Sequence, residues 1–299
     1  IENTLKKLIG MFALAIVDLS ERKLFLVRDR MGEKPLFFGQ IDNKFFFASE
    51  LKAFDCLKEV KKEIDKNALT SFMRFGYIPS PKTIYRNIYK LSPGSILELK
   101  ISKVINYKIK SYWNPIDEHG SVDQVNSHNS EEAILCNYEK LLTDSIKRQQ
   151  LSDVPIGAFL SGGVDSSLTT SIMQSLSIDP INTFTIGFTE LDYDESIKAR
   201  KIANHLGTNH YEHVVTSSEL LDVVPRMTEI YDEPFADPSQ IPTYLISKFA
   251  KNKVTVCLSG DGGDEIFAGY NRYVWLNKIE NIPRKMKKII SLLINLIGS

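Results

Sequence analysis

Residues 154–167, which read VPIGAFLSGGVDSS, constrain the fold of this chain more than any other stretch. The first half, residues 154–160, is an apolar run rich in branched and aromatic side chains, and such a run predicts a buried strand. Ser161, Gly162 and Gly163 follow as a turn with almost no side chain to keep a ligand away from the backbone. Where a helix begins after such a turn, its unpaired N–H groups and the positive end of its dipole form a point that binds phosphate.

A helix is predicted directly after this turn. Asp165 and Ser166 stand where an Asp or a Ser commonly caps a helix N-terminus. Behind them Leu168, Ile172 and Leu176 recur every four residues, which places them on one face of the helix. A strand, a phosphate-binding turn and a helix are therefore expected in immediate succession.

The string SGGVDSS lacks the Lys-Ser/Thr ending of a Walker A loop, which excludes that family of nucleotidases. It resembles instead the pyrophosphate-binding loop of the ATP pyrophosphatases, which split ATP between its α and β phosphates. An ordinary strand-to-helix turn is the alternative for a lone pair of glycines. The length of the matching string favours the nucleotide loop.

A second glycine-rich turn, SGDGGDEIFAGYNRY at residues 259–273, follows another apolar run. It carries Asp261, Asp264 and Glu265, and carboxylates this close together repel one another unless a cation lies between them. The turn is either the acidic first turn of a helix or part of a metal–nucleotide site. Because Mg²⁺ prefers one or two carboxylates together with phosphate oxygens, Asp165 and Asp264 are the candidate ligands.

From residue 130 onward strands and helices alternate, which predicts a doubly wound parallel sheet. Ligands of such sheets collect beyond the carboxyl ends of the strands, where both glycine turns are expected. The predicted strands after the first are 182–188, 210–215 and 254–258, and the predicted helices are 131–150, 194–206, 219–231 and 241–250.

The first 115 residues have a different pattern. Short apolar runs at 11–17, 24–27, 36–38 and 45–48 are separated by short polar turns, which predicts antiparallel strands. Residues 95–99 alternate like an edge strand beside a proline-containing loop. The polar residues 116–130 are interpreted as a linker between a first domain, 1–115, and a second domain, 131–299.

These motifs carry a family resemblance that covers nearly the whole chain. IGMFALAIVD, RDRMGEKPLFFG and FFFASELKAF resemble the rear part of the glutaminase domain of class II glutamine amidotransferases. SGGVDSS, TIGF, DYDESIKARKIANHLGTNHYEHVV and LSGDGGDEIFAGYNRY resemble the synthetase domain of the glutamine-hydrolysing asparagine synthetases. The resemblance implies an α/β chain, in which an antiparallel α+β part of an Ntn-type glutaminase precedes a doubly wound parallel-sheet domain of the adenine-nucleotide α-hydrolase type.

The resemblance also implies roles for individual residues. Asp261 would support a β-aspartyl-AMP intermediate, and Asp165 and Asp264 would hold Mg²⁺. Ile186 would frame the adenine of ATP. The other residues implied in ATP binding are Phe159, Leu160, Ser161, Gly162, Gly163, Asp165, Ser166, Ser259 and Gly260.

The implied activity is that of a ligase, the ATP-dependent amidation of aspartate to asparagine with release of AMP and pyrophosphate. Ammonia would come from glutamine in the intact protein. Two alternatives stay open: an amidotransferase that acts on another carboxylate, such as a sugar acid, and a nucleotide-binding protein without catalysis. The family's nucleophilic cysteine lies N-terminal to these motifs and its Arg-x-Pro-Phe-x-Asp string lies C-terminal, so the resemblance implies a fragment that is inactive alone.

Composition limits the partners. Lys plus Arg and Asp plus Glu are equal at 37 each, so no nucleic-acid surface is indicated. Cys56, Cys136 and Cys257 are far apart and match no metal-site spacing, which favours a reducing, cytoplasmic compartment. No apolar run has the length of a membrane span, so no membrane partner is expected. The expected partners are aspartate, glutamine or ammonia, and ATP, with a homodimer as the expected assembly.

Overall fold

The computed structural model describes residues 1–102, 104–117, 130–189, 194–284 and 286–288. The chain divides into two compact units. The first unit contains Ile1–Lys140 and Ser217–Thr243, and the second contains Leu141–Thr216 and Tyr244–Ser299. Ser217–Thr243 thus groups with the N-terminal half, although its sequence lies within the predicted second domain. Most of the predicted linker, 118–129, lies outside the described residues.

The first unit holds two antiparallel sheets among its described residues. Their strands are β1 (Ala13–Asp18), β2 (Lys23–Arg28), β3 (Phe37–Ile41), β4 (Lys44–Ala48), β5 (Ile88–Lys90), β6 (Ser95–Lys100) and β7 (Asn106–Ser111). One sheet has the strand order β1-β2-β6-β7 and the other the order β4-β3-β5. The prediction of antiparallel strands in this half is confirmed.

The prediction of an edge strand at residues 95–99 is wrong. The strand β6 lies inside its sheet, because β7 pairs with it along six residues on the side away from β2. Residues 106–111 read NYKIKS and are mostly exposed, so they lack the apolar alternation by which a strand is predicted from sequence. Burial of Ile96 and Leu97, which are at most 1% exposed, agrees with an interior position.

The helices in the N-terminal part of the first unit are short. Between residues 1 and 113 they are α1 (Glu2–Leu5) and α2 (Lys66–Phe75), with a 3₁₀ turn at Leu51–Cys56 between them. The α2 helix begins after Asp65, whose side chain accepts a hydrogen bond from the Asn67 N–H at 2.8 Å. It ends at Gly76, which has a φ of +77° and therefore takes the left-handed conformation that suits glycine.

The second unit contains the predicted parallel sheet. Its strands are β8 (Ile156–Phe159), β9 (Asn182–Phe188), β10 (Asn209–Val215) and β11 (Val256–Leu258), and all their pairings are parallel. The strand order is β10-β9-β8-β11, so β8 is flanked by β9 and β11. The carboxyl ends of β8, β9 and β11 consequently lie at the same edge of the sheet, as predicted.

The later helices are α3 (Glu131–Gln149), α4 (Val164–Ser175), α5 (Ser196–Leu206), α6 (Ser217–Val223), α7 (Met227–Ile230), α8 (Gln240–Ala250), α9 (Gly263–Phe267) and α10 (Asn271–Glu280). The single helix predicted at 219–231 is wrong, because a 3₁₀ turn at Val224–Arg226 separates α6 from α7. Pro225 lies inside that turn, and a proline has no N–H to continue α-helical hydrogen bonding. No helix of the described ranges is both long and apolar enough to cross a membrane.

The face of α4 that carries Leu168, Ile172 and Leu176 is not its fully buried face. Leu168 and Leu176 are each 38% exposed, whereas Ser166, Thr170 and Met173 are the buried residues. The buried set follows the helical spacing of four and three residues, but two of its members are hydroxyl side chains that a search for apolar residues ignores. Thr170 is accommodated because its hydroxyl donates to the Ser166 carbonyl oxygen at 2.7 Å.

A buried carboxylate organises the turn after β2. Asp29 is 1% exposed and accepts backbone hydrogen bonds from Phe12 N–H (3.2 Å), Glu33 N–H (2.9 Å) and Lys34 N–H (2.9 Å). Beside it the Arg28 guanidinium donates to three carbonyl oxygens, those of Gly32, Lys34 and Leu91. Since buried polar groups are costly unless they are paired, this network fixes the turn.

We expect Asp29→Asn to lower the free energy of unfolding of the first unit by about 2 kcal/mol, because the amide nitrogen of Asn would face backbone donors inside the protein. The matched control is Asp18→Asn, since Asp18 also accepts two backbone N–H groups but lies at the surface. Urea unfolding followed by Trp113 fluorescence in a Trp275→Phe background measures the first unit. Equal losses in both variants would contradict the prediction.

Candidate active site

The turn between β8 and α4 is held by the neighbouring strand. Leu160, 1% exposed, donates its N–H to the Phe184 carbonyl oxygen of β9 at 2.9 Å. In return the Thr185 hydroxyl donates to the Leu160 carbonyl oxygen. These bonds extend the β8–β9 pairing by one residue past Phe159 and fix the point where the glycine turn begins.

The two glycines of this turn have different roles. Gly162 has a φ of +83°, and a Cβ there would lie 2.8 Å from Lys198 Cβ and 2.9 Å from the Ala199 nitrogen of α5. Gly163 has an ordinary φ of −73°, and a Cβ there would meet only the Ser161 hydroxyl, at 3.3 Å. The fold therefore requires glycine at 162 for its backbone angle and its closeness to α5, whereas a Cβ at 163 would meet one hydroxyl and no backbone atom.

Two serines close the turn on itself. The Ser161 N–H donates to the Ser166 hydroxyl oxygen at 3.2 Å, and the two hydroxyls are 2.9 Å apart. The Ser161 hydroxyl also accepts the Gly163 N–H at 3.2 Å. Ser161 and Ser166 thus shape the turn through hydrogen bonds that lie within it.

The predicted capping role of Asp165 and Ser166 is wrong. The N-cap residue of α4 is Gly163, and no side chain among the described residues caps this helix. Asp165 lies in the first turn of the helix instead, and the Ser166 hydroxyl is engaged with Ser161. The uncapped first turn directs N–H groups and the positive end of the helix dipole towards the glycine turn, which is the arrangement that favours an anion.

The second glycine turn, after β11, lies against the first turn of α4. A Cβ at Gly260 would lie 2.8 Å from the Ser166 nitrogen, and a Cβ at Gly263 would lie 2.5 Å from Asp165 Cγ and 2.6 Å from its Oδ2. Real Cβ atoms do not occur this close to other atoms. The second turn can therefore approach the α4 backbone because position 260 is glycine, and the Asp165 carboxylate lies against Gly263 at the junction of the two turns.

The structure separates the roles of the acids in the second turn. Asp261 Oδ2 accepts a hydrogen bond from the Ser259 hydroxyl at 3.0 Å. The Asp264 carboxylate lies against Gly269. Glu265 accepts a hydrogen bond from the Tyr270 hydroxyl at 2.6 Å, which lowers the pKa of Glu265 and raises the pKa of Tyr270 to about 12. Of the predicted acids, Asp165 is the one held at the junction of the turns.

The end of β9 places Gly187 and Asp194, which had no predicted site role, next to the predicted residue Ile186. Ile186 is half-buried in β9, and next to it Gly187 has no room for a Cβ, which would lie 2.9 Å from Asp194 Oδ1. Asp194 accepts the Ser196 N–H at 3.0 Å before α5 begins, and hydrogen bonds from Ser196 lower the pKa of its carboxyl group. The Asp-x-Ser spacing of an Asx turn is a signal that could have separated Asp194 from the helix predicted there.

A magnesium ion fits the site through Asp165. Among the residues that the structure describes, no group of three or more His, Cys, Asp or Glu side chains is arranged to hold a metal. Mg²⁺ does not need such a cage, because it is commonly bound by one or two carboxylates and by substrate phosphates. Asp165, next to the anion-favouring helix terminus, meets that description, and Asp264 follows the glycine that Asp165 contacts.

Family models match the two halves of the chain. The model described as asparagine synthase matches residues 137–296, and the model described as glutamine amidotransferase domain matches residues 2–113. The first match covers more than half of the chain and includes both glycine turns.

Curated relatives extend over both matches. A Methanocaldococcus jannaschii protein named "Putative asparagine synthetase, glutamine-hydrolyzing, 2" is 36% identical over 290 residues, which cover 95% of this chain and 54% of that protein. Asparagine synthetase (glutamine-hydrolyzing) 1 of Bacillus subtilis is 34% identical over 294 residues, which cover 97% of this chain and 44% of that protein. The chain thus spans about half the length of these relatives. On the strength of the family match and of the two glycine turns inside it, this chain belongs to the asparagine synthase family.

Proposed function

We propose that the protein containing this chain amidates aspartate to asparagine in an ATP-dependent reaction, with ammonia from glutamine. The observation that carries this proposal is the junction of the two glycine turns, where Asp165 lies beside an uncapped helix N-terminus. Backbone N–H groups and the positive end of a helix dipole at that junction favour the binding of a pyrophosphate.

The proposed reaction has two steps. An oxygen of the aspartate side-chain carboxylate attacks the α-phosphorus of ATP, the bond to the β-phosphate oxygen breaks, and pyrophosphate leaves. Ammonia then attacks the acyl carbon of the β-aspartyl-AMP, and AMP leaves as the amide forms. Little covalent chemistry falls to the protein in such a transfer, so its task is to position the groups and to neutralise charge.

The place of each residue in the fold suggests which part of the substrates it would contact. Gly162, Gly163 and the first turn of α4 would hold the leaving pyrophosphate through backbone N–H groups, with Ser161 and Ser166 keeping the turn in shape. Phe159 and Leu160 would bring the turn to the sheet edge, and Ile186 at the end of β9 would border the adenine. Ser259 and Gly260 would contact the AMP part, and the Asp261 carboxylate would support the aspartyl-AMP.

Asp165, with Asp264 as its neighbour across Gly263, would hold a magnesium ion when the nucleotide binds. When bound, that ion supplies positive charge to the phosphate oxygens. The Asp165 carboxylate lies close to the Gly263 backbone, at the junction of the two turns.

Compartment and assembly are part of the proposal. The described structure has three cysteines without a disulfide, Cys56, Cys136 and Cys257, which supports a reducing cytoplasmic compartment. A homodimer stays a prediction that sedimentation of the full-length protein would test.

The acceptor is tested by exchange of labelled pyrophosphate into ATP, measured on the full-length protein. We expect exchange that depends on aspartate, because only an acyl-adenylate formed reversibly returns label to ATP. Exchange supported by a sugar acid and not by aspartate would favour the first alternative. Absence of exchange with every carboxylate would favour a nucleotide-binding protein without catalysis.

Gly163→Ala and Gly162→Ala separate phosphate binding from folding. We expect Gly163→Ala to leave the melting temperature of the free protein nearly unchanged and to abolish its increase with Mg·ATP, because the new methyl group would occupy phosphate space. Gly162→Ala should destabilise the fold by about 1 kcal/mol or more, since φ is positive there. Melting curves with and without Mg·ATP give both results, and an undiminished nucleotide shift in Gly163→Ala would contradict the phosphate role.

Asp165→Asn should weaken Mg·ATP binding by about tenfold or more, because Mg²⁺ would lose one of its few carboxylate ligands. Glu265→Gln is the matched control, since that carboxylate is in the same cluster but is engaged with the Tyr270 hydroxyl. Calorimetric titration of the full-length protein measures both affinities. Equal weakening by the two substitutions would count against the assignment of Asp165.

A further inference from the structure

Two acidic residues that the proposed chemistry does not use lie in the segment YDEPFADPSQ, at residues 231–240. Asp232 and Glu233 belong to the first compact unit, together with the sheets of the N-terminal half. Their side chains are only 15% and 14% exposed. Carboxylates this well covered need partners, and the partners show what the acids do.

Glu233 is bound through both of its oxygens. Its Oε1 accepts the Ile84 N–H at 2.7 Å, and its Oε2 lies 2.5 Å from Lys90 Nζ. Lys90 is itself 17% exposed and donates in addition to the Ile78 carbonyl oxygen at 2.7 Å. Charge-assisted hydrogen bonds of this kind, shielded from water, are the strong ones.

Asp232 likewise binds one backbone N–H and one lysine, both in the 3₁₀ turn at Leu51–Cys56. Its Oδ2 accepts the Leu51 N–H at 2.6 Å, and its Oδ1 lies 3.5 Å from Lys52 Nζ. Lys52 also donates to the carbonyl oxygen of Glu229, just before the segment, at 3.0 Å. All four oxygens of the two acids therefore have partners in the N-terminal half.

The rest of the segment is fixed as well. The Ala236 N–H donates to the Gly76 carbonyl oxygen at the end of α2, at 2.6 Å. The Tyr231 hydroxyl donates to the Gln240 carbonyl oxygen at 2.7 Å, and its ring packs edge-on against Phe235. The segment is thus held along its length and leads directly into α8.

We propose that Asp232 and Glu233 are positioning residues that clamp this segment to the amidotransferase-type half, and that neither is a catalytic acid. The clamp joins the two family matches: Leu51, Ile84 and Lys90 lie in the glutamine amidotransferase match, whereas both acids lie in the asparagine synthase match. Its role rests on the proposed function, since a clamp between these parts serves the transfer of ammonia from glutamine to the acceptor. Ammonia added to the solvent needs no such transfer.

The clamp itself is tested without activity, by hydrogen exchange of the Leu51 and Ile84 amides in the 299-residue chain. We expect Asp232→Asn to accelerate exchange at Leu51, and Glu233→Gln at Ile84, by about tenfold, because a charged acceptor becomes neutral. Glu59→Gln is the matched control: its ion pair with Lys44 lies in the same unit but is exposed. Unchanged exchange in both clamp variants would overturn the proposal.

The positioning role is tested in the full-length protein by the asparagine formed per glutamate released. We expect Glu233→Gln to lower this ratio to about half or less, with the ammonia-supported rate changed less than about twofold. Lys90→Met should do the same, and the double variant should add little, because both changes break one pair. The control variants Glu59→Gln and Lys44→Met should leave the ratio unchanged.

Two results would overturn the positioning role. An equal loss of the ammonia-supported and glutamine-supported rates would indicate that the acids take part in the amidation chemistry. An unchanged ratio of asparagine formed to glutamate released would show that the clamp does not serve ammonia transfer. If the wild-type protein forms no asparagine from either nitrogen source, the proposed function is contradicted instead. The hydrogen-exchange measurement would still test whether the clamp exists.

Discussion

The candidate site depends on one close approach, that of the two glycine turns at the carboxyl edge of the parallel sheet. Gly260 and Gly263 have no side chains, so the turn after β11 contacts the first turn of α4 and the Asp165 carboxylate directly. The order β9-β8-β11 makes this approach possible, because it places the ends of three strands side by side. A side chain at position 260 would meet the backbone of α4, and one at position 263 would displace the Asp165 carboxylate.

Acids that look alike in the sequence have different tasks because their partners differ. Asp165 lies at the junction of the turns, Glu265 is bound by a tyrosine hydroxyl, and Asp29 organises a turn in the first unit. Glu233 has both oxygens bound by partners of the N-terminal half. A carboxylate whose oxygens are all satisfied and covered is stable where it is, whereas one beside an uncapped helix terminus is suited to a ligand.

Much of the fold followed from pattern alone, and the errors share a cause. The strands and the parallel sheet were predicted because burial of apolar residues has a period that the chain displays. The strand β7, the interior position of β6 and the hydroxyl-rich buried face of α4 were missed, because each depends on a partner that covers or satisfies polar residues. The prediction of Asp165 as a cap failed for the same reason: Ser161 and Gly163 already complete the turn.

By itself the sequence determined the local arrangement of a strand, a glycine turn and a helix, since the conformational freedom of glycine and the free N–H groups of a helix start are local properties. Only the tertiary structure decided that the second glycine turn lies against Asp165, and that residues 217–243 pack with the N-terminal half. Those results depend on groups about a hundred residues or more apart in the chain, such as Asp165 and Gly263 or Ile84 and Glu233. Hydrogen bonding and steric contact act through space, so sequence spacing cannot reveal them.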